Sequence, residues 1–136
     1  MKHIEATVDL AVDADTAWKT IGDPGGLADW LPAIDAARMD GDIRFVEFAG
    51  GMGSGREQIL AHDDAGRTLR YAYLEGPIPL QDYTATMTVE PAASGSRFVW
   101  SASFNAGSPE EADALGEMVL GMFHDAQGNL KALLEA

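Results

Sequence analysis

Three consecutive segments between Leu69 and Phe104 place bulky apolar and aromatic residues on alternate positions, and one long amphipathic segment runs from Pro109 to the C-terminus. Successive side chains of a strand point to opposite faces. One face of these segments therefore carries Leu69, Tyr71 and Tyr73, then Tyr83, Ala85, Met87 and Val89, then Phe98, Trp100, Ala102 and Phe104. The other carries Thr84, Thr86, Thr88, Arg97, Ser101 and Ser103. An aromatic sheet face must be covered, and the long helical pattern that follows can lie across it. Sheet and helix make a container whose natural content is a small apolar molecule. Small residues such as Ala85 and Ala102 among large rings suit a lining with space in it.

The closing helix is well marked. Ser108 is an N-cap, Pro109 takes the first helical position, and Glu111 completes a capping box three residues after the cap. At 100° per residue, Leu115, Val119, Met122, Ala126, Leu130 and Leu133 form one stripe, flanked by Met118 and Phe123. Gly116, Gly121 and Gly128 each weaken the helix by up to about 1 kcal/mol against Ala, so tertiary contacts must hold it.

Upstream, residues 3–12 read as a first strand. Asp13 caps a short helix that buries Ala17, Trp18 and Ile21, and the run Gly22-Asp23-Pro24-Gly25-Gly26 stops it. A second short helix is expected over Leu27–Leu31, ending before Pro32. Six strands follow, about Ala36–Asp40, Asp42–Ala49, Arg56–His62, Arg67–Glu75, Asp82–Glu90 and Ser96–Asn105, joined by short Gly, Pro and Asp turns that imply antiparallel hairpins. The expectation is one α+β domain over residues 1–136. A curved seven-stranded antiparallel sheet wraps a long C-terminal helix, with two short helices after the first strand.

Composition removes several functions. No cysteine is present, which excludes thiol catalysis, disulfides and Cys-based zinc sites. With 22 acidic against 9 basic residues the formal charge is −13, which argues against nucleic acid and against anionic membrane surfaces. No uninterrupted apolar run is long enough to span a bilayer and the N-terminus lacks the apolar core of a signal peptide, so no stable membrane insertion and a cytoplasmic location are expected. No two histidines have metal-ligand spacing, and the glycines of residues 50–55 lie between strands without a nucleotide-binding register. Neither a metal nor another cofactor is expected. His124 falls opposite the apolar stripe of the last helix and reads as an exposed residue.

Glu57 shares parity with Ile59 and Ala61, and Arg44 lies across the hairpin from it. Two readings stay open: a surface cross-strand ion pair, or a carboxylate facing the cavity whose pKa is raised by desolvation.

Several short motifs in this order carry a family resemblance. They are Ala14-Asp15-Thr16-Ala17-Trp18, Trp30-Leu31-Pro32, Gly41-Asp42-Ile43-Arg44, Glu57-Gln58-Ile59-Leu60 before Asp63-Asp64, Leu69-Arg70-Tyr71, Asp82-Tyr83, and Phe98-Val99-Trp100-Ser101 with Phe104. Over nearly its whole length the chain resembles the polyketide cyclase/dehydrase group of the START-like (SRPBCC, Bet v 1-like) superfamily, whose helix-grip fold has the element order above. The resemblance implies a deep cavity between the last helix and the sheet. Matched positions facing it are Trp30, Tyr71, Tyr83, Trp100 and Phe104, with Glu57 and Arg44 as polar points. Tyr73, Met118 and Met122 join the expected ligand contacts, and Glu57 and Tyr83 are the catalytic candidates.

Relatives in that superfamily are ligand carriers, aromatase/cyclases, dehydratases, lipid-transfer modules and hormone receptors, so the fold alone does not choose a function. The expected partner is a small hydrophobic or aromatic molecule, and a homodimer is open to such a chain. Three readings stand side by side. One is a cyclase, aromatase or dehydratase that fixes the conformation of an enclosed substrate. Another is a non-catalytic carrier or sensor of a lipid or aromatic ligand. The third is a protein-interaction module whose cavity is collapsed onto its own Tyr and Met side chains.

Overall fold

The computed structural model describes residues 1–136. In chain order the elements are β1 (Lys2–Leu10), α1 (Ala14–Ile21), a 3₁₀ turn (Pro24–Asp29), β2 (Ile34–Asp40) and β3 (Ile43–Phe48). A single 3₁₀ turn (Ala49–Gly51) leads into β4 (Gly53–Asp63), β5 (Thr68–Glu75), β6 (Gln81–Ala92), β7 (Gly95–Asn105) and α2 (Pro109–Leu134). The seven strands form one antiparallel sheet in the order β1-β7-β6-β5-β4-β3-β2. Every sequential pair from β2 to β7 is a hairpin, and β1 returns beside β7. This is the helix-grip architecture.

The alternating faces fold as their spacing requires. Tyr83, Ala85, Met87, Val89 and Phe98, Trp100, Ala102, Phe104 are all buried, while Thr84, Thr86 and Thr88 are half-exposed. Register sets these residues in rows across four strands. Tyr71, Ala85, Ala102 and Ile4 stand opposite one another, and Leu69, Met87, Trp100 and Ala6 form the neighbouring row. Ala85 and Ala102 make a low point in the face beside the larger rings. Gly95 begins β7 at φ +149°, and an added Cβ would collide with the Leu10 carbonyl, so this tight hairpin end requires glycine.

α2 crosses the aromatic face with Gly116, Val119, Phe123, Ala126, Gln127 and Leu130 buried. The Phe123 ring stacks on Trp100 at 3.8 Å between centroids and 10° between planes. The buried line is thus rotated toward Phe123 and Gln127 from the expected stripe. Leu133, placed in that stripe, is 52% exposed in the last turn of the helix. Met118, expected at the ligand, is 40% exposed, because Val119 rather than its neighbour turns toward the sheet. Ser108 Oγ accepts from the Glu111 amide at 3.1 Å, but no return bond from the Glu111 side chain forms, so only half of the capping box exists.

Other boundaries moved as well, β2 starting at Ile34 and β4 at Gly53. The second short helix is a 3₁₀ turn starting three residues early, because Asp23 Oδ1 accepts from the Gly25 amide at 3.2 Å and Pro24 supplies a helical φ. The first strand stops at Leu10, ahead of the Asp13 cap, whose Oδ1 accepts from the Thr16 amide at 2.9 Å.

Candidate functional site

Arg44 on β3 and Glu57 on β4 are direct cross-strand partners. Arg44 Nε donates to Glu57 Oε1 at 2.8 Å, with the two side chains only 1% and 9% exposed. The pair is therefore internal, and the surface alternative is excluded. A register shift between Arg56 and Glu57 on the β4–β5 ladder accompanies the inward turn of the carboxylate. Arg44 Nη1 donates to the Pro24 carbonyl at 3.1 Å, and its guanidinium carbon stands 4.8 Å from the centre of the Tyr71 ring. Arg44 Nη2 has no partner at all.

Burial pushes the Glu57 carboxyl above its ordinary value of 4.5, while the adjacent Arg44 charge and hydrogen bond oppose that rise. Arg44 occupies one carboxylate oxygen, and no other protein donor reaches the group. Trp100 Nε1 donates to the Tyr71 hydroxyl at 3.3 Å, which leaves the Tyr71 O–H proton free to donate elsewhere. Burial raises the Tyr71 phenol, with the Glu57 charge adding to the rise. Burial likewise holds the Tyr83 phenol well above its ordinary value, reinforced by its neighbour Tyr71. Both stay neutral hydrogen-bond donors across the physiological range.

Around these groups lies a small, partly open cavity of about 40 Å³. Of its fourteen lining residues thirteen are hydrophobic, and Glu57 is the one charged member. The volume corrects the expectation of a deep cavity. It has room for a few waters, whereas a bound organic ligand needs roughly 300–1,000 Å³. The space beside Ala85 and Ala102 is taken by the protein's own rings. Tyr83 packs 6.2 Å from Tyr71, 6.0 Å from Tyr73 and 6.1 Å from Phe104, and Phe123 comes down onto Trp100. A larger hollow of about 350 Å³ on the outer face of β2–β4 is open, and its Arg56 and Glu75 are already paired at 2.7 Å.

Among the residues singled out in the sequence, Glu57, Tyr71, Tyr73, Tyr83, Trp100 and Met122 line the cavity. Trp30, Arg44 and Phe104 are fully buried behind that lining, and Trp30 packs edge-on to Phe98 at 5.9 Å. Met118 lies outside it. Tyr73 lines the cavity with its ring, but its hydroxyl accepts from the Ile78 amide at 3.0 Å. The lining also holds Leu27, Leu31, Ile34, Phe48, Ile78, Leu80, Val119 and Phe123. Phe48 shares strand parity with Arg44 and Val46, which could have revealed it; Ile78, between two prolines, has no periodic signal.

His124 is exposed. His62 pairs with Asp64 at 3.1 Å outside the cavity. No group of three or more His, Cys, Asp or Glu residues could hold a metal ion, and no helix is long and apolar enough to cross a membrane.

An antiparallel sheet gripping one long helix over a small apolar pocket is the Bet v 1-like fold. The chain belongs to the family described as polyketide cyclase / dehydrase and lipid transport, which matches residues 1–135. No curated protein matches it. Among solved structures it is similar to the protein XoxI from Bacillus cereus, at 22% identity and TM-score 0.92, covering 98% of this chain and 96% of that one. It is also similar to the di-domain ARO/CYC BexL of the BE-7585A biosynthetic pathway, at 15% identity and TM-score 0.85, where it covers 99% of this chain and 47% of BexL. Norcoclaurine synthase from Thalictrum flavum aligns at 22% identity and TM-score 0.77, over 98% of this chain and 92% of that one. The same synthase has been solved in complex with dopamine and hydroxybenzaldehyde.

Proposed function

We propose that this protein encloses a small hydrophobic or aromatic molecule between the sheet and α2 and acts on it as a cyclase- or dehydratase-type enzyme. One observation carries the reading: a single carboxylate of raised pKa, Glu57, shares an apolar cavity with the neutral phenols of Tyr71 and Tyr83. A carboxylate whose pKa is raised by burial can accept a proton from the carbon beside a ketone, and a phenol can donate to the oxygen that gains charge. Glu57 then returns that proton to a departing β-hydroxyl, which leaves as water while the carbon–carbon double bond forms. Arg44 keeps the carboxyl oriented and limits the rise of its pKa. Enclosure contributes by fixing the reactive conformation of a flexible chain. The family description, the ARO/CYC protein BexL and the aromatic ligands of norcoclaurine synthase support the substrate class. No metal or other cofactor enters this chemistry, and a cytoplasmic setting is in keeping with it.

The test is turnover of a soluble β-hydroxy aryl ketone, compared with Glu57→Gln and Tyr83→Phe. Loss of turnover with binding retained supports the enzyme; binding without turnover in the wild type supports a carrier or sensor. The small volume of about 40 Å³ favours an interaction module in one respect, since the protein's own side chains already fill most of the space. That reading gains if no small molecule binds.

A further inference from the structure

We infer that the loop Gly76–Leu80 is a strap closing the cavity, with Ile78 as its plug and the Tyr73 hydroxyl as its latch. The inference rests on the cavity reading above and adds the route by which a ligand enters. Gly76, Pro77 and Pro79 are exposed, yet Ile78 between them is 5% exposed and lines the cavity. Ile78 is the one fully buried side chain of the loop, with Leu80 half-buried beside it on the same cavity, and that makes Ile78 a plug by position. Its amide donates to the Tyr73 hydroxyl at 3.0 Å, and its carbonyl accepts from the Leu80 amide at 2.8 Å. Gly76 has no room for a side chain, because an added Cβ would collide with the Tyr73 hydroxyl. Pro77 and Pro79 restrict their own φ and the residues before them, so the segment moves as a stiff unit.

The sheet is built to let it move. Pairing between β5 and β6 ends at Ala72 and Thr84. Beyond that point Glu57 and Arg56 of β4 hold Tyr73 and Glu75, while Asn105 of β7 holds Gln81. The two strands splay apart, and the strap bridges the gap. Asp82 at φ +53° and the register shift between Gln81 and Thr84 mark its far hinge. Swinging the strap outward breaks the latch and uncovers Ile78 without breaking a ladder bond between β5 and β6. Opening is required, since about 40 Å³ admits no aromatic molecule.

The closed form thus competes with the ligand, and weakening the latch raises the open fraction. A neutral dye, N-phenyl-1-naphthylamine, followed by stopped-flow fluorescence, reads this directly. Tyr73→Phe keeps the ring and removes the latch; its association rate constant is expected to rise about fivefold with an unchanged dissociation rate, the effect of one hydrogen bond. Ile78→Ala is expected to speed association as well. Near-UV circular dichroism checks that both variants keep the fold. If the wild type binds and both variants associate at its rate, the strap is overturned while the cavity reading stands. If Ile78→Ala only accelerates dissociation, Ile78 is wall rather than plug, and the proposal also falls. If neither the wild type nor the variants bind the dye, both readings fall.

Discussion

Arg44 and Glu57 meet at 2.8 Å inside the sheet, with no solvent to share their charge and with Arg44 Nη2 left unpartnered. Removing one member strands the other. Arg44→Met is therefore expected to destabilise the fold by about 3–5 kcal/mol, whereas the double variant Arg44→Met, Glu57→Leu stays within about 1–2 kcal/mol of wild type, because apolar residues of similar volume replace a buried pair well. Urea unfolding of the single and double variants measures the difference. Equal losses in both would show that the pair is solvated rather than buried.

The same burial predicts a pH signature. A carboxyl whose pKa is raised by folding favours the folded state most below 4.5, and that contribution is lost as pH rises through the folded value. The melting temperature of the wild type minus that of the double variant is expected to shrink from pH 4 to pH 8. Surface carboxylates run the other way. Arg97 holds Asp9, and Arg56 holds Glu75, below their ordinary values, so their stabilisation is present above those values and fades in acid. A difference that grows with pH would contradict the raised Glu57.

Trp100 and Phe123 fasten α2 to the sheet through one stacked contact at 3.8 Å. Phe123→Ala is expected to cost about 3–5 kcal/mol, and Phe123→Leu distinctly less, since leucine refills most of the space. Thermal unfolding with near-UV circular dichroism separates loss of stability from loss of the stacked tryptophan environment.

Ser108 is the side-chain cap at the N-terminus of α2, its Oγ held 3.1 Å from the Glu111 amide. Ser108→Ala is expected to cost about 1 kcal/mol, and Glu111→Ala close to nothing, because the reciprocal half of the capping box is not formed. A comparable loss in both variants would restore the full box.

The fold was legible because its strongest signals are local. Alternation at Tyr83–Val89 and Phe98–Phe104 needs only neighbours in the chain, and the cap at Ser108 needs three residues. The site was legible in part. Glu57 could be turned inward by parity, yet the parity partner Ala61 is exposed, because a register shift between Ile59 and Ala61 breaks the alternation after Glu57. Met118 was misplaced because the helical wheel fixes relative angles but not which edge of the stripe meets the sheet. Ile78 had no local signal; its burial comes from Tyr73 and from two strands that splay. Cavity size is the least local property, set by how Tyr83, Trp100 and Phe123 fill the low point at Ala85 and Ala102.

The three tryptophans allow the central claim to be measured directly. Trp100 donates its indole N–H to Tyr71 at the cavity, while Trp18 donates its own to Asp64 at 2.9 Å on the outside. Titration of ¹⁵N-labelled protein with 2-naphthol is expected to shift the Trp100 indole and the Ile78 amide together, leaving the Trp18 indole unmoved. Shifts confined to Trp18 and the surface, or no saturable shift at Trp100, would contradict a ligand cavity between the sheet and α2.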